Sequence, residues 1–359
     1  MRLLLPLLAL AAPLAAQGPD YRVGVVSESG DIVTWARVAD GALVRERVVP
    51  VGLMPADVDG PHNIAAAPDG RSYYVTIAHG APYGSLWRLD ARTDTLIGRA
   101  DLEFFPTTIA LTPDGDFAFV ANSDFHGDRP RVNPVTVVFT PTMLKVADVP
   151  ACDMPHGVRV NHAGTRVYVT CMMSDEILEL DTGTFEILRR ARSGTGGAHA
   201  AHSGHGDAAD EGECSPTFVA VAPDDARFYV ACNKGNSVQV WDAARMERLR
   251  DIPVGAGAYN LEVSPDGGLV IATNKKAQSV SLVDTRTLAE VARVPTTKKV
   301  VHGVAYSPDG RYAFVTAESV GADPGSLDLL DLATRRVVAT LAIPAQPTGV
   351  AIVRLAGGR

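Results

Sequence analysis

Apolar and polar residues alternate along short runs, and the runs recur down the chain. Ser237-Val238-Gln239-Val240-Trp241-Asp242 and Ser279-Val280-Ser281-Leu282-Val283-Asp284 are two of them. A period of two reads as a strand with one buried face. Turn chemistry punctuates these runs at fixed offsets. Pro308-Asp309-Gly310 leads into Tyr312-Ala313-Phe314-Val315-Thr316, and Pro68-Asp69-Gly70 leads to Tyr74-Val75-Thr76. Pro113-Asp114-Gly115 precedes Phe119-Val120-Ala121, and Pro265-Asp266-Gly267 precedes Ile271-Ala272-Thr273. His162-Ala163-Gly164 and Pro223-Asp224-Asp225 open two further units, ending in Tyr168-Val169-Thr170 and Tyr229-Val230-Ala231.

Taking the turn Asp as position zero aligns Asp69, Asp114, Ala163, Asp224, Asp266 and Asp309, spaced by 45, 49, 61, 42 and 43 residues. Each unit has room for four short strands joined by turns, hence a four-stranded antiparallel sheet. One such sheet cannot bury both faces, whereas stacking around an axis covers each blade with the next. The termini supply the missing parts of a further blade. Residues 21–27, 31–36 and 43–51 read as three strands with no innermost partner, and 347–353 reads as an innermost strand alone. The predicted fold is therefore all-β: a seven-bladed β-propeller, closed by a composite blade that removes the exposed edge.

These motifs, Pro-Asp-Gly-x-x-Tyr/Phe-Val-Thr/Ala followed by a Val-x-Val-x-Asp strand, resemble the YVTN-repeat family of seven-bladed propellers across nearly the whole chain. The resemblance implies a quinoprotein amine dehydrogenase-like propeller. That group includes extracytoplasmic binding proteins, lactonase-like enzymes, amine dehydrogenase subunits and haem- or copper-carrying propellers of denitrification. The fold does not choose among these chemistries.

The chain has 359 residues, 46% hydrophobic and 21% charged, with 33 Gly and 24 Pro. This suits a turn-rich globular protein. The net charge of −8 and the lack of a basic block give no electrostatic basis for nucleic-acid binding. Met1-Arg2, an apolar run from Leu3 to Leu14 and the exit Ala15-Ala16-Gln17 read as a signal peptide over residues 1–16. That run is too short to span a bilayer, and no later stretch reaches that length. The expectation is a soluble monomer, periplasmic or secreted, with residues 17–359 forming one domain.

In a repeat protein, departures from the consensus carry the chemistry. Position −7, at the start of the innermost strand, reads His62, Thr107, His156, Thr217, Tyr259, His302 and Thr348. Three imidazoles converging near the axis are a ligand set for Zn or Cu, or strand-end caps. Position −4 is Ala except for Arg159 and Glu262, which must be paired, wetted or used on a ligand. With Tyr259 and Asn260 these complete the ligand-binding candidates. A Gly/Ala-rich insertion over 193–213 accounts for the long spacing and carries His199, His202 and His205, further metal candidates or a solvated loop. His79 and His126 follow second strands, so eight of the nine His fall on the face where innermost strands start, and His162 lies opposite.

Four Cys in an exported chain point to disulfides. Cys171 and Cys232 end second strands at +8, and Cys152 and Cys214 precede innermost strands at −11 and −10. Hairpin geometry favours Cys152–Cys171 and Cys214–Cys232, ahead of a Cys171–Cys232 link or thiolate metal ligation. No phosphate loop, Cys-x-x-Cys-His, His-Glu-x-x-His or Gly-x-Ser-x-Gly occurs. Two readings follow. One is a binding module whose His-rich face takes a ligand, metal or protein partner. The other is a metal-dependent enzyme, lactonase-like, lyase-like or redox, with channel-mouth His ligands and no catalytic residue named.

Overall fold

The computed structural model describes residues 21–52, 58–79, 84–125, 132–194, 213–319 and 323–354. The expected signal peptide, His126, His199, His202 and His205 lie outside them. Seven four-stranded antiparallel sheets form the chain, as the repeat predicts. Six are contiguous in sequence, beginning with innermost strands Pro61–Ala66, Pro106–Leu111, Pro155–Val160, Pro216–Val221, Ala258–Val263 and Val300–Tyr306, and we number these blades one to six. Blade seven joins Pro347–Arg354 to Tyr21–Ser27, Ile32–Ala39 and Ala42–Pro50. The closing pair is antiparallel, with Val23 opposite Ile352 and Ser27 opposite Pro347.

Five innermost strands open on proline, four of them one residue before the expected start and the fifth, Pro347, where expected. Proline has no N–H for the ladder, so the first residue of a strand is where it fits. The innermost strands pack side by side in a complete ring, with Pro347–Arg354 next to Pro61–Ala66. Seven apolar clusters sit at the seven junctions between blades. The core is thus a ring of inter-sheet layers, and no blade keeps its apolar face without a neighbour.

Both expected disulfides are present. Cys152–Cys171 and Cys214–Cys232 have Cα separations of 6.0 and 4.5 Å, and no cysteine is free. Cys214–Cys232 ties the entry of the innermost strand of blade four to the end of its second strand. Cys152 instead ends the outer strand of blade two, Leu144–Cys152, so that Cys152–Cys171 joins blade two to blade three rather than lying within one blade. Among the described residues no helix is long and apolar enough to cross a membrane.

Candidate functional site

Neighbouring blades are stitched near the axis by a threonine hydroxyl, and its source alternates. In blades two, four and seven the −7 residue supplies it. Thr107, Thr217 and Thr348 donate to the carbonyls of His156, Tyr259 and His62 in the next blade, at 3.1, 2.5 and 2.8 Å. Blades three, five and six carry His156, Tyr259 and His302 at −7, and there the second strand supplies the hydroxyl. Thr170, Thr273 and Thr316 donate to the carbonyls of Thr217, His302 and Thr348 at 2.9, 3.0 and 2.7 Å. Each also accepts its own innermost strand's −6 N–H, from Gly157, Asn260 and Gly303. Blade one shows the acceptor half of this second pattern, with Thr76 accepting from Asn63 N–H at 2.9 Å. Of the four side chains His62, His156, Tyr259 and His302, His156 joins the same stitching, with Nδ1 2.8 Å from the Thr217 carbonyl.

Those four side chains meet. With Glu28, Lys275, Glu318, Phe105 and Phe125 they line a cavity of about 160 Å³ at the mouth of the axial channel. The His62 and His302 rings are 5.7 Å apart, and Tyr259 lies 4.7 Å from His302. Glu28, Lys275 and Glu318 come from one position, the residue just past or ending the second strands of blades seven, five and six. The repeat alignment places Ala78, Ser123, Met172 and Asn233 there in the other contiguous blades. A charge scan at that offset, rather than at −7 alone, would have found them.

The Thr217 carbonyl, 2.8 Å from His156 Nδ1, can only accept, so Nδ1 carries the proton. Nε2 then accepts from the Tyr259 hydroxyl at 3.1 Å. Burial, with the charges of His62 and Lys275, pushes the His156 pKa down to about 3. Burial also holds His302 well below its usual value, aided by Lys275, although a backbone contact with Thr348 pulls the other way. Both are neutral at pH 7. Burial raises Tyr259 despite the Lys275 ammonium 4.2 Å from its ring centre. Lys275 stays charged: burial opposes this, but Tyr259 and Glu318, with Nζ to Oε1 at 3.3 Å, outweigh it.

Glu28 shows the same contest. Burial pushes its carboxyl up, but His62 and His79 hold it at about 2. Its Oε2 accepts from His62 Nδ1 at 2.8 Å, and its Oε1 is 3.6 Å from His79 Nε2. The His62 ring therefore has Nδ1 held by Glu28 and turns Nε2 toward the cavity. His62 is 6% exposed, and Nε2 is buried without a hydrogen-bond partner among the described residues.

The other candidates fall elsewhere. Arg159, Asn260 and Glu262 line a second cavity of about 460 Å³, bounded by Pro68, Pro113 and Pro265 of the hairpin turns on the opposite side. Although larger, it holds only one ion pair, Arg159 Nη2 to Glu262 Oε2 at 2.9 Å, whereas the smaller one gathers the titratable groups. His162 also lies on the hairpin side, exposed and bonded to Asp225. Among the described residues no group of three or more His, Cys, Asp or Glu is placed to hold a metal ion. His156 has both ring nitrogens engaged, so His62, His156 and His302 share a cavity without forming a described ligand set.

The family model for the YNCE-like beta-propeller matches residues 6–357. The chain belongs to this family. As a YNCE-like propeller it is similar to solved structures from two organisms. A protein of unknown function from Desulfotomaculum acetoxidans aligns with a TM-score of 0.73 at 13% identity, over 93% of this chain and 99% of that one. Kuenenia stuttgartiensis hydrazine synthase aligns with a TM-score of 0.65 at 20% identity, over 86% of this chain and 99% of that one. At such identities the likeness speaks for the YNCE-like fold and for no activity.

Proposed function

We propose that this chain is an exported propeller that binds a small hydrogen-bonding ligand in the His-lined mouth of its channel. One observation carries the reading: the buried, unpartnered Nε2 of His62, whose Nδ1 is held by Glu28, at a cavity of about 160 Å³. A buried polar atom left bare costs about 1–3 kcal/mol, which a hydrogen bond to a ligand recovers. The Phe105 and Phe125 rings offer apolar contact on one side, and the Tyr259 hydroxyl and Lys275 ammonium offer polar contacts on the other. Two disulfides support passage through an oxidising compartment.

The test is a thermal-shift and ligand-observed NMR screen with small donors such as urea, phenol and ethanolamine. A ligand held at about 100 times its Kd stabilises by about 2.7 kcal/mol. The expected result is a ligand that stabilises the wild type and not His62→Phe, a variant that removes the ring nitrogens and keeps an aromatic ring. Donors that bind His62→Phe equally well refute the site.

A second reading rests on the same nitrogen. A carboxylate-backed imidazole with an open Nε2 is the form in which His ligates Zn²⁺ or Cu²⁺. It makes the protein a metal-dependent enzyme, with the metal polarising a carbonyl or activating water. Calorimetry with Zn²⁺ and Cu²⁺ on the wild type and His62→Gln separates the two readings. Stoichiometric binding lost in the variant favours the metal, and none tighter than about millimolar leaves the ligand-binding reading.

A further inference from the structure

The hairpin-side cavity is chemically unlike the His-lined one. Its walls are the seven innermost strands, and its width comes from Ala at −4 in most blades; Ala65, Ala110, Ala305 and Ala351 all line it. The two exceptions, Arg159 of blade three and Glu262 of blade five, reach each other past blade four at 2.9 Å. Each is about one third exposed to the channel, at 34% and 29% of its side chain. The guanidinium uses Nη2 on Glu262 and Nε on the Val219 carbonyl, at 3.4 Å. Nη1 and the second carboxylate oxygen of Glu262 have no partner among the described residues. The side-chain amides of Asn63 and Asn260 line the same cavity and likewise make no hydrogen bond to described residues, although Asn260 is only 7% exposed.

We infer that this cavity is a second binding site, for an uncharged polyhydroxylated ligand such as a sugar or polyol. Arg159 and Glu262 neutralise each other, so no net charge remains for an ionic ligand. What remains is hydrogen-bonding capacity: one guanidinium N–H pair, one carboxylate oxygen and two carboxamides. A hydroxyl both donates and accepts. Neighbouring hydroxyls can therefore accept from Arg159 and donate to Glu262 without parting the ion pair, while others meet the Asn63 and Asn260 amides. The C–H faces of a sugar suit the Ala, Ile and Val walls. A cavity of about 460 Å³ lies in the range that encloses small ligands. A zwitterion, by contrast, must compete with an ion pair already made.

Isothermal titration of the full chain with glucose, galactose, maltose and myo-inositol tests this, with glycine and alanine as zwitterionic controls. The expected result is one-to-one binding of at least one sugar or polyol, indifferent to ionic strength because the ligand is uncharged. Asn63→Ala and Asn260→Ala, which leave the strand backbone in place, should each weaken it by about tenfold. Glu262→Gln retains an acceptor and should cost less than threefold, and His62→Phe should change nothing. Melting temperatures confirm that each variant folds. Failure of every sugar and polyol to bind overturns the inference. So does binding unaffected by both Asn substitutions, or binding of glycine or alanine in place of the sugars.

Discussion

The two buried neutral imidazoles make stability fall steeply in mild acid. His156 has its pKa lowered from 6.5 to about 3, and His302 is well below 6.5. A group with a depressed folded-state pKa leaves the unfolded chain with more bound protons. The stability it gives is complete above 6.5 and is lost as pH falls through 6.5. At pH 5 an unfolded imidazole is almost fully protonated while the folded His156 is still neutral. From pH 7 to pH 5 this removes about 2 kcal/mol through His156, and the lowered His302 adds to the loss. That is a sizeable part of the usual 5–15 kcal/mol of net stability. Urea unfolding at pH 7, 6 and 5 and constant ionic strength measures it. The comparison is a double His156→Gln/His302→Gln variant, because glutamine in place of His156 can still donate to the Thr217 carbonyl. The double variant should lose at least about 2 kcal/mol less across the interval, even if it starts lower. If unfolding is stepwise, proton uptake on unfolding at pH 5 gives the same answer, at least about one proton fewer for the variant. Wild type equally stable at pH 7 and pH 5, or parallel pH profiles for the two proteins, refutes the neutral-imidazole assignment.

Thr316→Val keeps the shape of a fully buried side chain but removes the hydroxyl joining Gly303 N–H to the Thr348 carbonyl. Chemical denaturation should show a loss of about 1–3 kcal/mol. Ending the chain before Pro347 leaves Tyr21–Ser27 without its inner partner; soluble yield and melting temperature should both drop sharply, and an unchanged melt rejects the closure scheme. Replacing Cys214 and Cys232 by Ser opens a link of sequence separation 18, which should cost about 3 kcal/mol in non-reducing denaturation experiments.

The fold was legible because its rules are local. A period of two between Pro-Asp-Gly turns sets both strand and register, and the register alone brings position +8 next to the strand entry, which is why both disulfides could be read. The −7 ring was legible for the same reason, as an interruption of Thr. Its counterpart was not: that Thr170, Thr273 and Thr316 replace the missing hydroxyls depends on contacts between blades, which no single repeat displays. Glu28 was hidden further, because it belongs to the blade split between the termini. Arg159, Asn260 and Glu262 were grouped with the histidines because all sit on innermost strands. A strand advances about 3.3 Å per residue, so three positions past −7 lie about 10 Å further down the axis. That distance carries position −4 into the opposite cavity.

Ring closure also sets an order of events. The contact between Tyr21–Ser27 and Pro347–Arg354 joins residues more than 300 positions apart. Closing a loop of that length costs about 5 kcal/mol of chain entropy before any contact is made, so this pairing belongs to the slow end of folding. Glu28 immediately follows the N-terminal strand, and its N–H is held by the Gln346 carbonyl at 3.0 Å. Until the last strand docks, nothing holds the Glu28 carboxylate against His62. A chain cut short in synthesis, or one still open, can therefore carry six formed blades and no working pocket, which makes occupancy of the pocket a readout of completed assembly.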